Sequence, residues 1–414
     1  TSPTNMGLSL LANMTAYDFG YIPMGQVLTR TGNAIRTMEV MERYLGHFYN
    51  WYDTQSLEPL PPKYISSVDS GNLGAHLLTL RSGLLALPDH KIVNPRLFEG
   101  LRDILEVFRE AHGGDASDAL TGLQHDLADI TLSRPDTLPA VRLCIERLTT
   151  YAEDLVLSMA ESPESEAKWW ASAMARQCRS ALEELAFLAP WTALRDVPDR
   201  LIDFKVMGII PTLSELARLE SELPPAIRDP HTVFETQGET LRFDEFRDLI
   251  HEASRRARER VAAIEGLARQ LNELADMEYG FLYDKARHLL AIGYNIGEDQ
   301  RDASFYDLLA SEARLACFVA IAQGQLPQES WFALGRLLTN VGGDPVLLSW
   351  DGSMFEYLMP LLVMPTYENT LLDRTYKAAV ERQIEYGMHH GVPWGISESG
   401  YNMVDVQLNY QYRA

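Results

Sequence analysis

The chain has 414 residues, 46% of them hydrophobic and 23% charged, the composition of a globular protein with room for one large domain or two ordinary ones. Its 36 basic residues stand against 58 acidic ones, a net charge of −22, which opposes binding to phosphate backbones or anionic lipid but not to a neutral polymer. No run approaches 18 uninterrupted apolar residues, so no segment reads as membrane-spanning.

Thr1-Ser2-Pro3-Thr4 carries neither an initiating Met nor a signal-peptide pattern, and the chain stops abruptly after Asn409-Tyr410-Gln411-Tyr412-Arg413. The expectation is a piece of a larger protein. Residues 4–20 predict a helix capped by Thr4 or Asn5, and 24–46 a second helix after Pro23. A loop follows that opens with His47-Phe48-Tyr49-Asn50-Trp51-Tyr52-Asp53-Thr54 and closes with Ser66-Ser67-Val68-Asp69-Ser70-Gly71-Asn72. Long loops dense in aromatic and short polar side chains are where ligand contacts concentrate. Residues 71–87 predict a third helix, started by Ser70 or Asn72.

Between about 91 and 275 the texture changes to amphipathic helices at 96–112, 116–131, 137–160, 164–188, 212–222 and 239–275, punctuated by prolines such as Pro135, Pro163 and Pro211. Little chemistry is legible in this stretch. Trp169-Trp170 reads as packing in preference to a sugar platform. Cys144, Cys178 and Cys317 are odd in number and lack metal spacing, so they read as small core residues of a reducing compartment.

After 275 the aromatic loops return. Residues 285–296 alternate and predict a short hairpin. Residues 304–324 (SFYDLLASEARLACFVAIAQG) place Phe305, Leu308, Leu309, Leu315, Ala316 and Val319 at helical spacing, with Glu312 in the middle of that apolar stripe. A buried carboxylate must be paired, hydrogen-bonded or protonated, and Arg287 and Arg314 are the candidate partners. A short helix is expected near 328–336, a turn at 342–345, extended backbone at 346–350, helices at 353–364 and 368–390, and a last helix or turn at 401–412.

Glu398, in Gly395-Ile396-Ser397-Glu398-Ser399-Gly400, is flanked by small residues that let a bulky substrate approach; the duller reading makes it a capping side chain. Asp351 reads as an N-cap, Glu356 as a second buried acid, and Asp69 as a helix-start residue. Trp51, Tyr52, Trp331, Trp350, Trp394, Tyr401, Tyr410 and Tyr412 offer flat apolar faces of the kind on which sugar rings stack, though some belong to the core. His389-His390 lack a third ligand, and no nucleotide, P-loop, serine-hydrolase or zinc-protease motif is present, so no cofactor or metal is expected.

Several of these segments together resemble a known family, the cyclic β-1,2-glucan synthases, and within them the transglycosylase (cyclisation) domain. The segments are NMGLSLLA at 5–12, GHFYNWYDT at 46–54, EPLPPKYISSVDSGNLGAHL at 58–77, SFYDLLASEARL at 304–315, LLSWDGSMFEYLMPLLVM at 347–364, ERQIEYG at 381–387 and VPWGISESGYN at 392–402, with NYQYRA closing the chain. The middle third is covered only loosely. The resemblance implies an all-α fold, a glucoamylase-like (α/α)6 toroid of helical hairpins with an inserted helical region and a few short strands, incomplete at its C-terminal end. Its first part would be 1–90, the helical insertion 91–275, and the part carrying the acids 276–414. It implies anomer-retaining transglycosylation on linear β-1,2-glucan, with Glu312 as nucleophile and Glu398 as acid/base. Trp51, Tyr52, Asp53, Asp69, Asn72, Trp350, Asp351, Glu356, Trp394, Tyr401, Asn402 and Tyr410 would line the substrate site. It also implies a polytopic inner-membrane polypeptide with a glycosyltransferase module before this domain and a phosphorylase-like module after it. This domain would lie on the cytoplasmic side as a soluble part. An inverting endo-β-1,2-glucan hydrolase and a non-catalytic glucan-binding module are the alternatives.

Overall fold

A computed structural model describes residues 1–113, 117–159, 165–194, 209–223, 237–341, 343–397, 399–404 and 410–413. The fold is all-α, with only short strands. Two compact units divide it. The first comprises residues 1–11, 36–80 and 270–414, the second residues 12–35 and 81–269.

In the second unit the helices Leu97–His112, Asp118–Ser133, Leu138–Ser158 and Glu166–Leu188 start and stop where local chemistry dictates. Ser117, Thr137 and Ser165 each cap the next helix by accepting a backbone N–H three residues on, at 3.2, 3.4 and 3.3 Å. Thr212 and Glu215 form a reciprocal capping box at the head of Leu213–Glu222. Along Leu97–His112 the buried residues Leu97, Leu101, Leu105 and Phe108 fall on one stripe, and Gly113 closes the helix in the left-handed region. Each such side chain contributes about 1.5–3 kcal/mol when fully buried. The helix Glu166–Leu188 packs against both Leu97–His112 and Leu138–Ser158. A guanidinium–carboxylate pair, Arg260 with Glu184, is largely buried in this unit.

The first unit combines helices with small antiparallel ladders. Tyr64–Ser66 pairs with Gly293–Asn295, which pairs in turn with Gln300–Arg301. A hairpin is expected within 285–296; the one that forms pairs Tyr283–Asp284 with Leu289–Leu290, so its first strand precedes that range. Leu308, Leu309, Cys317, Leu347, Met354, Tyr357 and Tyr376 share one apolar cluster.

Several expected boundaries move. The second helix is Met24–Val40, shorter than 24–46, because the chain enters a two-residue ladder, Arg43–Tyr44 with His47–Phe48. The third helix begins at Ser67, not 71, so Asp69, Ser70 and Asn72 lie in its first turns. Ser2, not Thr4 or Asn5, caps the first helix, Pro3–Asp18, by accepting the Asn5 N–H at 3.3 Å. Where a last helix or turn is expected over 401–412, the described residues form a strand pair, Ser399–Val404 with Tyr410–Arg413. The helix expected over 304–324 covers only Ala313–Ala322. Phe305 bridges Ala291, and Leu308 and Leu309 reach the core from turns. Apolar residues three or four apart in so short a segment fit a folded turn as well as a helix.

Candidate active site

Glu312 does not sit inside a helix. It occupies the N-cap position of Ala313–Ala322, and Ser311 before it has φ +48°, left-handed backbone that a serine enters only under constraint. The side chain of Glu312 is 4% exposed. The Ser311 hydroxyl donates to its carboxylate. Burial pushes the Glu312 carboxyl up to about 7, the neighbouring charge of Asp69 pushes the same way, and the Ser311 hydroxyl and Asn72 amide oppose them. Among the described residues Glu312 forms no ion pair. Arg287 is exposed and lies over the Phe305 ring at 4.9 Å, while Arg314 is fully buried and donates to the Glu356 and Tyr357 carbonyls at 2.6 and 2.7 Å. Neither candidate partner forms an ion pair with it, though the buried Arg314 charge and the Glu312 carboxylate attract one another through space.

The wall beside Glu312 is the start of the Ser67–Ala86 helix. A Cβ on Gly71 would lie 2.2 Å from the Ala316 Cα, so only glycine permits these two helices to approach backbone to backbone. That approach sets Asp69 and Asn72 near Glu312. Thr4 ties the group together: its hydroxyl donates to Asp69 at 2.7 Å and accepts from the Asn72 amide at 3.0 Å. Burial raises the Asp69 carboxyl above its usual range. His47, fully buried, contacts the Ser70 hydroxyl at 2.8 Å and the Glu278 carbonyl at 2.9 Å, and burial lowers its imidazole to about 4, so it stays neutral.

On the other side, Glu356 is 1% exposed and accepts two backbone N–H groups, Ser311 at 2.8 Å and Asp351 at 2.9 Å. It thereby fixes the strained turn that aims Glu312. The same short helix, Met354–Leu358, receives the segment that leads into Glu398. The Ile396 carbonyl accepts the Met354 N–H at 2.9 Å, and the Ser397 hydroxyl accepts the Phe355 N–H at 3.2 Å.

The remaining candidates separate clearly. Asn72 is buried in the cluster, and the partly exposed Trp51 donates its indole N–H at 3.1 Å to Asn50, whose amide, oriented to satisfy both neighbours, donates to Asp69 at 3.0 Å. Tyr52 is a core residue, 1% exposed, with its hydroxyl donating to the Glu42 carbonyl at 2.6 Å; it offers no open face. Asp53 accepts the Gln55 and Ser56 N–H groups at 2.8 and 2.7 Å and shapes its own turn. Asp351 is exposed and is not the N-cap, a role taken by Ser353. Trp350 and Trp394 are each 51% exposed, and the Trp350 indole donates to Asp307 at 3.3 Å. Trp331 packs against the apolar cluster. Glu398 lies outside the described residues; Tyr401, Asn402 and Tyr410 are described by backbone alone, on the closing hairpin. Thr4, Ser311 and the backbone role of Glu356 escape sequence reasoning, since no local pattern marks a contact across 45 or 65 residues. Among the described residues no group of three His, Cys, Asp or Glu side chains could hold a metal ion.

No family model matches the chain. Over all 414 residues it is 34% identical to the cyclic beta-(1,2)-glucan synthase NdvB of Rhizobium meliloti (strain 1021), and it spans 13% of that protein's length.

Proposed function

The chain corresponds over its whole length to a domain-sized segment of a cyclic β-(1,2)-glucan synthase, and from that premise we propose that it is a retaining transglycosylase that closes linear β-1,2-glucan into a ring. The observation that carries this reading is the convergence on the Met354–Leu358 helix. Glu356 holds the turn bearing Glu312, and the same helix holds Ile396 and Ser397, immediately before Glu398. The turn bearing Glu312 and the residues Ile396 and Ser397 are thus tied to one five-residue element, which supports a meeting of the two acids. Retention calls for carboxyl groups about 5–5.5 Å apart, inversion for about 6.5–9.5 Å.

The environment of Glu312 favours one division of labour over the other. A carboxyl that keeps its proton to about pH 7, with no cation paired to it among the described residues, suits a general acid. We therefore exchange the roles expected from the resemblance. Glu398 attacks the anomeric carbon, a glycosyl–enzyme ester forms, the C1–O2 bond breaks, and Glu312 gives its proton to the departing O2. Glu312, now ionised, then takes the proton of an incoming hydroxyl as that oxygen displaces Glu398. If the hydroxyl is O2 at the non-reducing end of the same glucan, a ring results; if it is water, the outcome is hydrolysis. Thr4, Asp69 and Asn72 form a buried polar cluster that orients Glu312. The (α/α)6 toroid, the flanking glycosyltransferase and phosphorylase-like modules and a cytoplasmic face at the inner membrane belong to the same proposal. No helix among the described residues is long and apolar enough to cross a membrane.

Incubating the chain with linear β-1,2-glucan and weighing the products tests it: cyclic products are lighter by one water. Inverted linear products would assign an endo-hydrolase. Cyclisation at the parent rate by both Glu312→Gln and Glu398→Gln would remove the acids from the chemistry. Azide rescue reads the roles. Glu312→Ala should yield the β-glycosyl azide, whereas an α-azide would make Glu312 the nucleophile.

A further inference from the structure

The second unit contains a cavity of about 650 Å3, within the range of about 300–1,000 Å3 typical of small-molecule sites. Its wall is built from Trp169 and Trp170 on the Glu166–Leu188 helix, facing Tyr21, Gln26 and Asp103. The two indoles meet edge to face with centroids 4.6 Å apart at 88°, and Trp169 remains 56% exposed. Two adjacent tryptophans in the wall of a concave cavity, one of them more than half exposed, form an apolar corner that the fold itself leaves open. Tyr21 adds a further partly exposed ring, held by its hydroxyl bond to Asp103 at 3.2 Å.

A second, independent feature is Gln177, which lines the same cavity and is only 5% exposed. Its amide nitrogen donates to the Gly20 carbonyl at 2.7 Å, which fixes the amide plane. Its carbonyl oxygen is buried without a hydrogen-bond partner. An acceptor left unmet in this way costs stability unless a ligand supplies a donor. Beside it, Gln26 donates to Ser180 at 2.8 Å and accepts from Arg30 at 3.4 Å. The rim carries both signs of charge, with Arg176 over the Trp169 ring at 5.9 Å and Glu183 on the same helix, and the whole chain is strongly acidic. Such a site does not select an anion.

We propose that this cavity is a second saccharide site, one that binds β-linked glucosyl residues by stacking on Trp169 and Trp170 while a sugar hydroxyl donates to Gln177. β-Glucopyranose suits this wall because its hydroxyls are equatorial and both ring faces present C–H groups. The choice of a β-linked glucan rests on the substrate proposed above; the cavity is built from other residues than the candidate active site. Its function is to hold glucan, not to cleave it.

The test titrates the chain with linear β-1,2-gluco-oligosaccharides while following tryptophan fluorescence, with α-1,4-gluco-oligosaccharides as control. The titration is repeated on Trp169→Ala and on Gln177→Leu, and each variant's fold is checked by circular dichroism. The expected result is quenching by the β-linked oligosaccharides that weakens about tenfold or more in both variants, with KM for long glucan raised and turnover of short oligosaccharides unchanged. Quenching and KM identical in parent and variants, or no quenching by any β-linked oligosaccharide, overturns the site. Product analysis on the parent chain is read separately. Loss of cyclisation with Trp169-dependent quenching intact would sink the transglycosylase reading and leave this site standing.

Discussion

Replacing Glu312 with Gln should stabilise the protein, and by an amount that depends on pH. The carboxyl titrates near 7 in the folded state against 4.5 for a free glutamate. Below 4.5 both states are protonated and the side chain is neutral either way. Between the two values the folded protein keeps a proton that the unfolded chain has lost, so stability falls as pH rises. Above 7 the ionised carboxylate remains buried, and the whole difference, about 3 kcal/mol, weighs against folding. Glutamine has nearly the same volume, no charge and an oxygen for the Ser311 hydroxyl. Urea unfolding of parent and variant at pH 5 and pH 8 isolates the effect, since titrating groups that do not interact with Glu312 cancel in the difference. The variant should match the parent to within about 1 kcal/mol at pH 5 and exceed it by about 2–4 kcal/mol at pH 8. An equal difference at both pH values, or a variant less stable at pH 8, would refute the account of Glu312 as a desolvated, proton-holding acid.

Three further substitutions probe what surrounds it. Ser311→Ala removes the hydroxyl that favours the ionised carboxylate, so Glu312 should titrate about one to two units higher, visible in the carboxyl carbon resonance across a pH series. Gly71→Ala sets a Cβ 2.2 Å from the Ala316 Cα and should cost about 1–3 kcal/mol in urea unfolding, with turnover falling as the Ala313–Ala322 helix shifts. Arg314→Lys cannot span the Glu356 and Tyr357 carbonyls together and should cost about 2–3 kcal/mol by the same measurement.

How much was legible in the sequence depended on whether the deciding contact was local. The helices between Leu97 and Leu274 fall within about two residues of their expected bounds because serine and threonine caps and apolar stripes act over a few residues. The turn before Glu312 was not legible. Its left-handed Ser311 is held by Glu356, 45 residues on, and the apolar spacing around it imitates a helix. Tyr52 misled for a related reason. An aromatic residue in a polar loop resembles a sugar platform until its hydroxyl is found on the Glu42 carbonyl and its ring in the core. Asp351 resembled an N-cap, but the hydroxyl of Ser353 takes the position two residues later.

The misplaced helix boundary bears on the chemistry as well. A glutamate in mid-helix would point along an apolar face and need a cation to be tolerated. At the N-cap it is aimed by the turn, and the helix N-terminus itself lends partial positive charge when the carboxylate ionises. Arg314 lies two residues away in sequence yet commits its guanidinium to two backbone carbonyls, so it braces the Met354–Leu358 helix, and among the described residues Glu312 has no ion pair. Burial thus raises the Glu312 carboxyl to about 7, while Ser311, Asn72 and the helix end keep the ionised state within reach at neutral pH. A group that must give up a proton in one step and recover it in the next needs both states close in free energy, which a fully neutralised carboxylate in an ion pair would not provide.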